Sequence, residues 1–168
     1  MKPIKIILRA IFCVFLITIS SCTLNPCGWD SDLDSIKEKP TSEFLIGKYK
    51  FDERTKRIQG FENSQNAELN IKSDGTFEMK NIPKGTLDFM SYYDSMNVNI
   101  DANGKWKVIY HKGAAELSVK VMFDSTKTDL NNFYTSWKIY KKDKKAVILI
   151  MVGDIDECSA ARFEKITN

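Results

Sequence analysis

The feature that most constrains this chain is a period of two in its hydrophobicity, sustained from about residue 43 to the end. Leu45, Gly47, Tyr49 and Phe51 fall on one face, with Lys48 and Lys50 between them. Leu69 and Ile71 alternate with Asn70 and Lys72, and Ser73-Asp74-Gly75 then leads into Thr76-Phe77-Glu78-Met79. Successive side chains on a strand point to opposite faces, so such alternation marks half-buried strands, and Asp-Gly between two of them marks a hairpin. Trp106, Val108 and Tyr110 continue the pattern, as do Leu117, Val119, Val121 and Phe123, and then Trp137 and Ile139.

One segment breaks the alternation. Ala146-Val147-Ile148-Leu149-Ile150-Met151-Val152 is apolar on both faces, which predicts a strand covered on both sides or one whose outer face meets something. A last strand is expected over Ala161 to Ile166. The pattern amounts to about eight strands joined mostly by hairpins, with no alternation of strand and helix. It predicts an all-β domain of antiparallel strands over residues 44–168, an up-and-down barrel with a two-sheet sandwich as the alternative. A closed eight-stranded barrel removes exposed sheet edges and has room for one small ligand or for packed side chains.

Three stretches carry a resemblance. Ile46-Gly47-Lys48-Tyr49, then Leu69 through Phe77 with its Asp74-Gly75-Thr76-Phe77, and then Gly104-Lys105-Trp106 resemble the lipocalin-like lipoproteins common in Bacteroidetes. These open with Gly-x-Trp, carry a "DGTF" hairpin and repeat Gly-x-Trp on a middle strand; Asp154 to Ile166 is similar to their closing strand. Tyr49 stands where the first tryptophan would be. The resemblance implies a lipocalin-like barrel, and through it an apolar ligand, although one fold hosts many functions.

The N-terminus has a different composition. Lys2, Lys5 and Arg9 precede an apolar run from Ala10 to Ile19, followed by Ser20, Ser21 and Cys22. A basic stretch, a short apolar stretch and small residues before a cut site make a secretory signal, expected over residues 1–21. The apolar run is about half the roughly 20 residues a bilayer-spanning helix needs. Ile19-Ser20-Ser21-Cys22 resembles the lipobox of bacterial lipoproteins, in which the cysteine thiol receives a diacylglyceryl group and the chain is cut just before it. One acyl chain holds only marginally, whereas the two or three of a lipoprotein, palmitate among them, anchor stably. The expected location is therefore the bacterial cell envelope, with the membrane as partner through Cys22 and the outer membrane favoured over the inner.

Removing the signal discards three basic residues and no acid, so the precursor's 25 Lys and Arg become 22, matching its 22 Asp and Glu. A neutral mature chain gives no electrostatic reason to expect nucleic acid. Residues 22–43, polar and containing Pro26 and Pro40, read as a lipidated tether holding the domain clear of the headgroups. Lys141-Lys142-Asp143-Lys144-Lys145 reads as a solvated hairpin turn. Once Cys13 is removed and Cys22 lipidated, Cys27 and Cys158 remain, and an exported chain can keep a disulfide between them.

The chemical inventory is thin. His111 is the single histidine and sits beside Lys112-Gly113 at an expected turn, with no activated serine motif to complete a triad. One histidine and two spare cysteines do not make a zinc site, and Asp30-Ser31-Asp32 and Asp154-Ile155-Asp156-Glu157 lack the spacing of a calcium loop. No catalytic residue, metal or cofactor is expected, and the reading is of a non-enzymatic protein. Pro83 to Met96 interrupts the strand rhythm; its Phe89, Met90, Tyr92, Tyr93 and Met96 are candidates for a ligand or partner surface, or for a plug that serves as core. Two functions are thereby expected: binding a small apolar ligand in the barrel, or binding an envelope protein in an inhibitor or immunity role. A hydrolase using scattered carboxylates ranks below both.

Overall fold

The computed structural model describes residues 27–87, 97–111, 113–123, 130–153 and 158–166. Within them the strands are β1 (Asp34–Ser35), β2 (Gly47–Phe51), β3 (Glu68–Ile71), β4 (Thr76–Pro83), β5 (Asn99–His111), β6 (Ala114–Met122), β7 (Phe133–Lys142), β8 (Lys145–Val152) and β9 (Ser159–Lys165), with one short helix, α1 (Ser42–Leu45). From β2 to β9 each strand pairs antiparallel with the next. β2 also pairs with β9, Phe51 opposite Phe163, so the sheet closes on itself. The fold is an eight-stranded antiparallel barrel, and the sandwich alternative falls because no strand pair is left open between β2 and β9.

The two ends differ. The hairpin turns at one end are tight: residues 72–75, His111 to Ala114, and Asp143-Lys144. Asp143 and Lys144 both take positive φ, 49° and 67°, the backbone a two-residue turn of this handedness requires. The basic cluster Lys141 to Lys145 is thus the β7–β8 turn. At the other end the connections β2–β3, β4–β5, β6–β7 and β8–β9 are all longer.

Inward-facing residues of the alternating strands meet in one core. Tyr49, Phe51, Leu69, Ile71, Phe77 and Met79 on β2–β4 face Leu117, Val119, Trp137, Ile148, Ile150 and Phe163 from the other strands. Phe77 and Trp137 meet edge to face with ring centroids 5.2 Å apart, and Phe51 and Phe163 lie 4.5 Å apart. At the tight-turn end α1 inserts Leu45, fully buried, and the Tyr49 hydroxyl donates to its carbonyl at 2.5 Å. Thr41 caps α1 through its hydroxyl, and Lys165 Nζ donates to the Glu43 and Phe44 carbonyls at 3.2 and 2.8 Å. At the long-loop end a 3-10 turn, Lys84–Thr86, buries Gly85 and Thr86 and packs against β8 across the mouth.

The residues that carry the family resemblance build one joint. A Cβ on Gly104 would lie 1.9 Å from the Lys120 carbonyl oxygen and 2.7 Å from the Phe77 ring, so glycine here lets β5, β6 and Phe77 close up. Two residues on, Trp106 Nε1 donates to the Lys72 and Thr76 carbonyls, and its backbone N–H to Gly75 O. Asp74 Oδ1 accepts from the Thr76 N–H and hydroxyl at 2.9 and 2.6 Å, and Gly75 supplies φ +80°. The hairpin and the Gly-x-Trp strand are therefore one packing unit.

Candidate functional site: two unlike outer walls

The apolar outer face of β8 is covered by the chain's own N-terminal segment. Trp29 is 5% exposed and packs on Leu149 and Ala160, with Cys27, Ile58, Tyr140 and Met151 around it. Its indole N–H donates to the Cys158 carbonyl at 2.5 Å, and the Arg54 guanidinium stacks 4.1 Å above its ring. Cys27 and Cys158 are joined by a disulfide, with Cα atoms 4.9 Å apart. From this point the segment runs down the wall towards the tight-turn end, where β1 pairs with the last residues of β7, Asp34 opposite Lys141. The expected spacer over 22–43 is accordingly no free tether from Cys27 onward. It is a strap, and what fastens it is apolar burial joined to charge.

The charge centres on Arg162, an outward residue of β9 whose side chain is 2% exposed. Its Nη1 and Nη2 donate to the two Asp32 carboxylate oxygens at 2.7 and 2.9 Å, a two-pronged pairing that suits a planar guanidinium. Glu164 lies 2.9 Å from Nη2, and Asp52 stands 3.2 Å from Nε as an ion pair outside hydrogen-bond alignment. Lys142 bridges Glu164 and Asp32 at 2.9 and 3.4 Å. The hydrogen bond from Arg162 holds the Asp32 carboxyl well below the usual range, against burial that would raise it. Burial also pushes Glu164 up, but Lys142 and Arg162 outweigh it. Tyr140 donates to Asp30 at 2.9 Å, and burial raises that phenol first, with the Asp30 contact adding to it. Three acids held by two basic side chains make the cluster a clamp that ties Asp32 of the strap to β7 and β9. Asp30 and Asp32, whose spacing does not suit a calcium loop, supply two of its anchors.

Among the described residues no segment is strapped over the opposite wall. Across β4 and β5 lies an open groove of about 670 Å³, lined outwardly by Glu78, Lys80, Asp101, Asn103, Lys105 and Met122. It bends at a bulge between Met79 and Ile82, where Asn81 takes φ +55°. The bulge is held by side chains: Asn81 N–H donates to Asp101 Oδ1, and Asn99 Nδ2 to Asn81 Oδ1 and to the Asn63 carbonyl.

The other residues singled out by sequence fall as follows. Cys22 and the loop residues Phe89, Met90, Tyr92, Tyr93 and Met96 lie outside the described residues, as do Asp154 to Glu157. His111 is exposed at the end of β5, opposite Ala114 across the β5–β6 turn. Among the described residues no group of three or more His, Cys, Asp or Glu stands where it could hold a metal, and no helix is long and apolar enough to cross a membrane. Sequence reasoning missed Trp29, Arg54 and Arg162; the doubly apolar β8 was the signal that something covers that wall. The chain matches no family model, no curated protein and no solved structure.

Proposed function

We propose that this protein is a non-enzymatic lipoprotein of the bacterial cell envelope, anchored through Cys22, whose barrel recognises a partner protein on its free β4–β5 wall. The observation that carries the reading is the occupancy of the interior by the barrel's own side chains, Phe77 against Trp137 at its centre, with α1 and the Lys84–Thr86 turn across the ends. Recognition is left to the outside, and one outer wall is already covered. The groove on the other mixes charge of both signs with the thioether of Met122, the composition of a protein-binding rim rather than of a lipid or nucleic-acid surface. An N-terminal secretory signal and lipobox support the anchor, and the cysteine pair suits an oxidising compartment.

A photocrosslinker placed at Asn103 in intact cells is expected to give one discrete adduct. The pair Asp101→Lys and Lys105→Glu should abolish it while leaving the domain folded. Adducts from the strapped wall but none from Asn103 would sink the reading.

A ligand inside the barrel has one observation in its favour. Trp137 Nε1 and Thr86 Oγ1 are buried without a hydrogen-bond partner, so a small molecule carrying an acceptor oxygen would find donors there. It would need to shift Phe77 or Trp137 to enter. Native mass spectrometry of the mature domain carrying Cys22→Ser separates the two readings: a fixed extra mass of one compound class supports the ligand, and a clean mass supports the surface.

A further inference from the structure

We infer that the long-loop end of the barrel faces the membrane, and that its exposed apolar rim rests against the lipid surface. The inference builds on the anchor at Cys22 proposed above and adds an orientation to it. Only five peptide spacings separate Cys22 from Cys27. A fully extended chain spans at most about 3.6 Å per residue, so Cys27 lies within about 18 Å of the lipidated cysteine. Cys27 is no free end, because the disulfide fixes it to Cys158 at the start of β9. Arg54, in the β2–β3 loop, donates to the Gly28 and Cys27 carbonyls at 2.8 and 3.2 Å. The attachment point is thus rigidly part of the long-loop end.

The opposite end is out of reach of the same tether. The seven residues of β9 alone extend about 23 Å at 3.3 Å per residue. To lay the tight turns on the bilayer, the chain would have to climb the length of the barrel before reaching Cys27. Electrostatics alone would choose otherwise, since Lys144 and Lys145 stand exposed on the β7–β8 turn and anionic lipid attracts each lysine by about 1 kcal/mol near the surface. That attraction dies away within about 10 Å, whereas the covalent limit does not yield.

The rim itself has interfacial character. Val98 is 51% and Tyr134 75% exposed, the two most exposed large apolar side chains among the described residues. Both stand at the long-loop end, Val98 just before β5 and Tyr134 as the second residue of β7. Lys120 Nζ lies 5.6 Å from the Tyr134 ring, a cation beside an amphipathic aromatic such as headgroup regions accommodate. Phe123 and Phe133 stack beside it with centroids 6.0 Å apart.

The test reconstitutes the mature lipidated protein in phosphatidylcholine vesicles whose acyl chains carry bromine, a short-range quencher of indole. Tyr134→Trp places a reporter on the rim and His111→Trp places one at the far end; both sites are exposed, so neither change disturbs the core. The fluorescence added by Tyr134→Trp should fall at least twofold in brominated vesicles, and that added by His111→Trp should not change. Twenty Gly/Ser residues inserted between Asn25 and Pro26 should abolish the quenching at 134 while the protein stays bound. Quenching at 111, or none at either position, overturns the orientation and leaves the anchor standing. A mature protein that lacks the diacylglyceryl mass on Cys22 and fails to float with vesicles overturns the anchor, and the orientation falls with it.

Discussion

The two outer walls of this barrel stand on different strands of one closed sheet, and they solve the solvent problem in opposite ways. On β4 and β5 the outward positions are Thr76, Glu78, Lys80, Asp101, Asn103 and Lys105, all polar and suited to contact with water. On β8 the outward positions are Val147, Leu149 and Met151, and Trp29 of the strap packs on Leu149 with Met151 beside it. Burying apolar area stabilises by about 25 cal/mol per Å², so an irregular segment with one indole can be held to a wall that is already apolar. Arg162 and the disulfide then select one position for it. A wall's outward residues therefore disclose whether it expects water or cover, even where the covering segment has no periodicity of its own.

Inside, the comparison disappears, and the largest expected effect lies there. Gly104→Ala places a methyl group 1.9 Å from a backbone oxygen, which no rotamer can relieve. The β5–β6 pairing must shift, and a loss of about 4 kcal/mol or more, or failure to fold, is expected in urea titration of the mature domain. A loss under 1 kcal/mol would show that the joint of Gly104, Phe77 and Trp106 is looser than its geometry.

Next comes the clamp. Arg162→Ala leaves Asp32, Asp52 and Glu164 facing one another around an emptied site, and breaking a buried pair from one side costs about 3 kcal/mol. The double change Cys27→Ser and Cys158→Ser should cost a similar amount, about 2–4 kcal/mol, with the closed loop spanning a sequence separation of 131. If either matches a change on the free wall, the strap contributes nothing to stability and the contrast between the walls fails.

Much of this molecule is readable from its residues. Tyr49, Leu69, Phe77, Leu117 and Trp137 all point inward as their alternation predicts, and Asp74-Gly75 makes the hairpin turn it should. Closure was open between barrel and sandwich because periodicity says which face is buried but not which strand is the neighbour. The pairing of β2 with β9 joins residues more than a hundred positions apart. The strap escaped for a related reason: Trp29, Asp30 and Asp32 sit in an irregular polar stretch, and their partners Cys158, Tyr140 and Arg162 lie at the other end of the chain. The free-wall groove left no sequence trace, since it arises from the bulge at Asn81 and the curvature of the sheet.

The strap should also report on pH. Asp32 is held below its ordinary value by Arg162, so the folded state binds this proton less readily than the unfolded chain does. Its contribution is therefore fully present above the unfolded carboxylate range, about 4, and is lost progressively as pH falls below it. Glu164 is shifted in the same direction and adds to the loss. Asp32→Asn should flatten the acid limb of the stability profile measured between pH 5 and pH 2. An unchanged slope would mean that the Asp32–Arg162 pair is too exposed on its acid side to register.

The smallest expected effect belongs to the free wall, and its smallness is informative. Asp101→Lys with Lys105→Glu exchanges two exposed charges at the groove and is expected to move stability by no more than about 0.5 kcal/mol in each case. Asp101 does hold the Asn81 backbone N–H at 2.9 Å, so any excess beyond that should come from Asp101→Lys alone. The single variant Lys105→Glu separates the two contributions by urea titration. A near-neutral double variant would leave the groove free to be shaped by what it binds rather than by what the fold requires, whereas a loss of 2 kcal/mol or more would make Asp101 a structural brace for the bulge and remove the strongest reason to place recognition on this wall.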